Sequence, residues 1–414
     1  MSDAQDSAAP KRRMGCLGWA LTSLALLALI LAAALFFLWR AAAPPAPDAF
    51  YDAPDEMPRE AGVLIRAERF MRAIPEGARA WRILYSTTNR EGERALASAI
   101  VMAPAREDAE PHPVIAWAHG TTGIAPGCAP SLMPDPFLNV PAIPDALREN
   151  WAFVATDYIG LGTAGAHEYL IGEESARAVL DAVRAARAIP VLQLDRRTIV
   201  WGHSQGGHSA LWAGIRAPEY APDVPLSGIA ALAPATDLPA LVYASQGSMF
   251  GKIVTSYLAP AYAAAYPDTG AARYIAPSAR WLARDIASRC VGGRQTLVSV
   301  AETMLLPRAG IFARDPREGA FGARLRENVA GRPIAAPLLI AQGEADDLVL
   351  PPIQAGFVAA RCAAGQPLES RTYPGRDHIS LLAPDSDLAG DLVAWTRARF
   401  AGENWAPNCP APPR

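Results

Sequence analysis

From residue 114 onward, short apolar runs of strand length alternate with stretches of helical period, and no other feature limits the fold as tightly. The runs at 114–118, 152–156, 198–201, 228–232 and 338–341 read as strands; the stretches at 174–188, 207–215 and 388–400 read as helices. Strands that alternate with helices build a mostly parallel sheet with helices on its faces, because parallel neighbours need crossover connections. Upstream, the β-rich runs 81–88 and 95–102 flank Asn89-Arg90-Glu91-Gly92-Glu93, a turn segment that marks an antiparallel hairpin. Between about residues 237 and 332 the alternation stops. That stretch exceeds an ordinary connection and is expected to fold as an inserted cap.

The N-terminal region has a different solvent. Residues 14–39 are 26 residues without a charge, about 39 Å of helix at about 1.5 Å per residue, against a hydrocarbon core of about 30 Å. Lys11, Arg12 and Arg13 precede the run and only Arg40 follows it directly. The positive-inside rule therefore puts residues 1–13 in the cytoplasm and exports the chain beyond a transmembrane signal anchor at 14–39. Ala41, Ala42 and Ala43 offer the alternative of signal cleavage and secretion, but the run exceeds the usual signal core of about 7 to 15 residues. Residues 40–60, rich in Pro, Ala and Asp, read as a stiff linker to a domain at 61–402, and 403–414 as a tail.

Composition excludes several classes. The 414 residues carry 38 Lys and Arg against 41 Asp and Glu, a formal net charge of -3, so no positive field attracts nucleic acid. Neither H-E-x-x-H nor a close C-x-x-C pair occurs, and Gly160-Leu161-Gly162 is only a fragment of a dinucleotide fingerprint. No metal and no cofactor is expected. Cys128, Cys290, Cys362 and Cys409 all lie in the exported part, where two disulfides are expected, with three pairings open.

The chemistry-bearing motif is Thr198-Ile-Val-Trp-Gly202-His203-Ser204-Gln205-Gly206-Gly207, a strand that runs through G-x-S-x-G into a helix. A nucleophile on so tight a turn needs glycine neighbours, because the helix returns close to the strand. A serine hydroxyl is a poor nucleophile near neutral pH, so a histidine must take its proton and a carboxylate must orient that histidine. Two histidines follow Ser204. His208 sits in the helix just after it, which leaves His378, in the loop Gly375-Arg376-Asp377-His378 before the last helix. The acid is assigned to Asp346, after the strand 338–341 in Gly343-Glu344-Ala345-Asp346, with Asp347 and Asp377 as rivals. The negative charge that builds on the substrate oxygen needs two donors. Gln205 N–H is one; the other is expected from His119-Gly120-Thr121-Thr122-Gly123, where Gly120 lets the chain curl and Thr121 or Thr122 donates. His119 is read as structural. Phe250, Tyr257, Tyr262 and Tyr266 are positioned to line an acyl tunnel, but are read first as the cap's own core.

On the segments His119–Gly123, Cys128-Ala-Pro-Ser131, Asp157-Tyr-Ile-Gly-Leu-Gly-Thr163, 174–186, the GHSQGG run and the late Asp377-His378 pair, the chain resembles the secretory lipase family of α/β-hydrolases. The likeness runs from about residue 50 to 400. It implies an α/β-hydrolase fold with a cap between nucleophile and acid, the triad Ser204, Asp346 and His378, and disulfides Cys128–Cys290 and Cys362–Cys409. The implied activity is hydrolysis of carboxylic esters through an acyl-enzyme, on an ester or lipid substrate. Acyl transfer or peptide hydrolysis by the same triad, and a catalytically silent anchored scaffold, are the alternatives. The apolar N-terminal segment departs from the secreted members.

Overall fold

The computed structural model describes residues 16–105 and 110–409. The expected cytoplasmic segment 1–13, with its three basic residues, the start of the apolar run and the end of the tail lie outside the described residues. The chain divides into two units, residues 1–43 and 44–414. The first holds the helix Cys16–Ala41, of which Trp19–Ala41 is long and apolar enough to cross a membrane.

The second unit is built on a nine-stranded sheet: β1 (Leu64–Phe70), β2 (Ala78–Thr88), β3 (Arg94–Pro104), β4 (His112–Ala118), β5 (Ala152–Ile159), β6 (Leu194–His203), β7 (Leu226–Leu232), β8 (Leu338–Gly343) and β9 (Glu369–Tyr373). The spatial order is β1-β2-β3-β5-β4-β6-β7-β8-β9. Pairing is antiparallel from β1 to β5 and parallel from β5 to β9. The β2–β3 hairpin closes where Asn89 N–H donates to Glu93 O at 2.9 Å and Gly92 takes φ +85°.

The strand period of two sorts the central residues onto two cores. Val114, Ala116, Ala118 and Val200 pack with residues of the helices Gly172–Arg187 and Gln205–Tyr220. Ile115, Trp117, Ile199 and Trp201 share the opposite core with Leu392 and Trp395 of the helix Asp387–Phe400, where Trp201 Nε1 donates to Thr396 Oγ1 at 3.0 Å.

Between β7 and β8, residues 237–332 form five α-helices with a third apolar core. Tyr257, Tyr262 and Tyr266 belong to that core, whereas Phe250 stands 41% exposed. The linker reading also needs correction. Phe50 and Tyr51 are buried against Leu84 and Leu96, and Asp48 pairs with Arg82 at 2.8 Å, so part of the segment read as a tether packs on the sheet. Two aromatic rings in a proline-rich stretch outweigh its extended character, since each removes a large apolar area from water.

Candidate active site

The loops at the carboxyl ends of β4, β6 and β8, with the loop after β9, meet over the sheet. At the end of β6, Ser204 adopts φ +58° and ψ −118°, a conformation that non-glycine residues rarely hold. The turn is held by Ser204 N–H on Leu232 O at 2.9 Å and by Ala235 N–H on Ser204 O at 3.2 Å. A side chain at Gly202 would sit on the carbonyl of Gly206, and one at Gly206 on the carbonyl of Ala118. These two glycines let the helix Gln205–Tyr220 start directly against β4.

Asp346 lies in the turn after β8 and is buried. Its Oδ1 accepts from the N–H groups of Leu348 (2.9 Å) and Val349 (2.8 Å), and its Oδ2 from Gln342 Nε2 at 3.1 Å. His378 Nδ1 also meets Asp346 Oδ2, at 2.8 Å. An ionised carboxylate only accepts, so this contact puts the imidazole proton on Nδ1 and leaves Nε2 with its lone pair. The two loops are joined by backbone as well. Ala345 N–H donates to Arg376 O at 2.9 Å, and a side chain at Gly343 would strike that same carbonyl. Asp347 and Asp377 are exposed, and Asp377 Oδ1 instead accepts from Ile379 N–H and Ser380 N–H, bracing the histidine loop.

The link from His378 to the serine turn runs through His203. Its ring centroid lies 4.6 Å from that of His378, and its Nε2 donates to His378 O at 2.9 Å. Burial, reinforced by the neighbouring His378, holds His203 well below the usual imidazole range, so it is a neutral spacer. Among the described residues the Ser204 hydroxyl has no hydrogen bond to His378. Ser204 instead lines a narrow cavity of about 40 Å³ together with Thr121, Gln205, Tyr169 and Ser245. Its remaining wall is apolar, including Leu238, Leu241 and Val242 of the inserted helices and Val349, whose N–H donates to Asp346.

Thr121 and Gln205 thus share this cavity with Ser204, and Gly120 lies beside the serine: a side chain there would come 3.7 Å from Ser204 Cβ. Gln205 opens its helix, where the first N–H groups have no intrahelical acceptor. Its side chain donates to His167 Nε2 at 2.9 Å, while His167 Nδ1 donates to Ile159 O at 3.1 Å. Burial lowers His167 to about 3 and His119 to about 4, so both stay neutral. His119 donates Nδ1–H to Gly120 O at 2.6 Å, the structural role read from its turn. His208 donates Nε2–H to Asn328 O at 2.7 Å, tying the helix Gln205–Tyr220 to the end of the insertion.

Two of the segments on which the chain resembles secretory lipases, Cys128–Ser131 and Asp157–Thr163, touch each other. Asp157 Oδ1 accepts from Ser131 N–H at 2.9 Å, and its Oδ2 from Ser131 Oγ and Ser98 Oγ. Cys128 is bonded to Cys290 and Cys362 to Cys409. The first bridge staples the insertion to the loop after β4, where Val291 N–H also donates to Thr122 O at 2.8 Å. Sequence reasoning missed His203, His167, Tyr169, Gln342 and Asn328. None carries a motif spacing; the only signal was that each sits within a few residues of a recognised one or of an element end.

A serine on a strained strand-to-helix turn, followed by a carboxylate and a histidine at the carboxyl edge of a mostly parallel sheet, defines an α/β-hydrolase. The family profile for secretory lipases matches residues 138–408, and the chain belongs to that family. Lipase A of Moesziomyces aphidis is 29% identical over 204 residues, 46% of this chain and 43% of that protein. A Mycobacterium tuberculosis relative named as a probable inactive lipase is 25% identical over 382 residues, 87% of this chain and 83% of that one. With several of the other curated lipases the match spans about half of their length. Among solved structures, Candida antarctica lipase A has a TM-score of 0.73 at 21% identity, with 89% of each chain covered. The rice cell wall degrading esterase LipA from Xanthomonas oryzae has a TM-score of 0.67 at 19% identity, covering 83% of this chain and all of that one.

Proposed function

We propose that this protein hydrolyses carboxylic esters through a Ser204–His378–Asp346 triad and an acyl-enzyme. The observation that carries the reading is the buried 2.8 Å contact between His378 Nδ1 and Asp346 Oδ2, made by two loops bonded to each other and packed on the serine turn. Ser204 Oγ attacks the ester carbonyl carbon while His378 Nε2 takes its proton; the oxyanion accepts from Gln205 N–H and from the Gly120–Thr121 backbone. The imidazolium, held by Asp346, passes the proton to the departing alcohol. Water then repeats the sequence on the acyl-enzyme, with His378 again as base, and releases the acid.

The apolar cavity takes the acyl chain, and residues 237–332 act as its cap. With the insertion in this position the room beside Ser204 suits short chains. Export agrees with two disulfides, which persist in oxidising compartments. Residues 14–39 anchor the exported domain in the membrane.

The relative named as a probable inactive lipase favours one rival, a silent scaffold on the same fold. A fluorophosphonate probe separates the two. The hydrolase reading expects labelling of Ser204, turnover of p-nitrophenyl esters, and loss of both in Ser204→Ala. Folded protein that neither labels nor turns over any chain length is the scaffold.

A further inference from the structure

We propose that the Thr121 hydroxyl is a third donor to the substrate oxyanion, and that Tyr169 aims its proton. The inference rests on the triad reading above. Thr121 Oγ1 and Tyr169 Oη lie 2.6 Å apart, and both residues line the cavity that holds Ser204 and Gln205. Two hydroxyls in contact have two protons, of which one bridges the pair. The other must point elsewhere.

Burial decides which proton is left over. Tyr169 is 2% exposed, and among the described residues its hydroxyl has no hydrogen-bond partner besides Thr121. Were Thr121 the donor, the phenol O–H would be buried with no acceptor, an arrangement that costs the full desolvation of that group. Thr121 is only half-buried and lines the same cavity. Tyr169 therefore donates to Thr121 Oγ1, and the threonine proton turns towards the cavity. At rest that proton goes to solvent; in the transition state it meets the negative charge that forms beside Ser204.

The ring of Tyr169 is itself fixed, in an edge-to-face contact with Tyr257 at 6.1 Å between centroids. A chain from phenol to threonine to oxyanion strengthens as charge develops at its end, since each bond polarises the next. Thr121 is thus a catalytic residue by direct contact, and Tyr169 a positioning residue that acts through it. Neither role follows from the backbone donors, which any residue at position 121 would supply.

The test measures kcat and KM on p-nitrophenyl butyrate for Thr121→Val, Thr121→Ser, Tyr169→Phe and the double variant Thr121→Val/Tyr169→Phe, with melting curves to confirm folding. Removing one oxyanion donor costs roughly 10² to 10³ in kcat, so Thr121→Val is expected to lose about 10²-fold with KM little changed. Thr121→Ser keeps most of the rate. Tyr169→Phe loses about tenfold in kcat, and adds nothing further in the Thr121→Val background. Thr121→Val within threefold of the parent kcat overturns the proposal, as does an equal Tyr169→Phe loss in both backgrounds. If Thr121→Val does not fold, the split between kcat and KM in Tyr169→Phe decides: a loss confined to KM overturns the proposal. Turnover that survives Ser204→Ala would instead overturn the triad reading.

Discussion

Replacing Asp346 by Asn changes one atom and, in this geometry, dictates the tautomer of His378. The Oδ1 position accepts from two backbone N–H groups, of Leu348 and Val349, so the amide oxygen of an asparagine must take it. The amide NH2 then faces Gln342 Nε2 and His378 Nδ1, both of which donate to the present Oδ2. His378 relieves its share of that conflict by moving its proton from Nδ1 to Nε2. An imidazole protonated on Nε2 has no lone pair for the serine proton. The expected loss is about 10⁴-fold in kcat, or about 5 kcal/mol of transition-state stabilisation at 1.36 kcal/mol per tenfold. The assay is turnover of p-nitrophenyl butyrate by melt-checked protein, with Asp347→Asn and Asp377→Asn in parallel. Both controls should stay within a few-fold of the parent, because neither carboxylate contacts the imidazole among the described hydrogen bonds. An Asp346→Asn enzyme with more than about a tenth of the parent rate would refute the tautomer argument, and a loss seen only in Asp347→Asn would move the acid.

Removing the Cys128–Cys290 bridge by Cys128→Ser/Cys290→Ser frees a closed loop spanning 162 positions, and the chain-entropy account puts the cost at about 5 kcal/mol. Urea unfolding reads it, and a loss under about 1 kcal/mol would contradict the account. Gly206→Ala drives a methyl group onto the Ala118 carbonyl and should abolish fluorophosphonate labelling of Ser204; full labelling would mean the turn tolerates more than this packing allows. Acid stability provides a test of His208, which burial lowers to about 4. A histidine held neutral in the fold but titrating near 6.5 when unfolded gives stability that is present above pH 6.5 and lost as pH falls towards 4. The fully buried ring should make the parent lose about 2 to 3 kcal/mol more than His208→Gln between pH 7.5 and 4.5, and equal losses by denaturant titration would refute the neutral assignment.

The parts of the fold legible in the sequence were those where local pattern and burial agree. The central strands β4 to β8 are buried on both faces over the runs 114–118, 152–156, 198–201, 228–232 and 338–341, so each shows there as a largely apolar run. The edge strands were not legible. β1 carries Arg66 and Glu68 and β9 reads Glu-Ser-Arg-Thr-Tyr, because an edge strand has little apolar face to advertise and charge there discourages further pairing. The same division runs through the site. Ser204 announced itself through Gly202, Gly206 and Gly207, glycines within three residues of it in the chain. Tyr169, His203 and Gln342 did not, since their partners lie across space and leave no spacing to read.

Sequence alone therefore determined the alternating architecture, the sharp serine turn and the apolar N-terminal helix, because each depends on residues adjacent in the chain. Local spacing left the cysteine pairing open, given only by the resemblance, and left Asp346 with two rivals; the tertiary structure joins Cys128 to Cys290 and Cys362 to Cys409, brings Asp346 to His378, and rests Tyr169 on Thr121, which no motif announced. Those choices depend on which loops the sheet order brings to one edge, and strand order is set by the packing of the whole core rather than by any local run of residues.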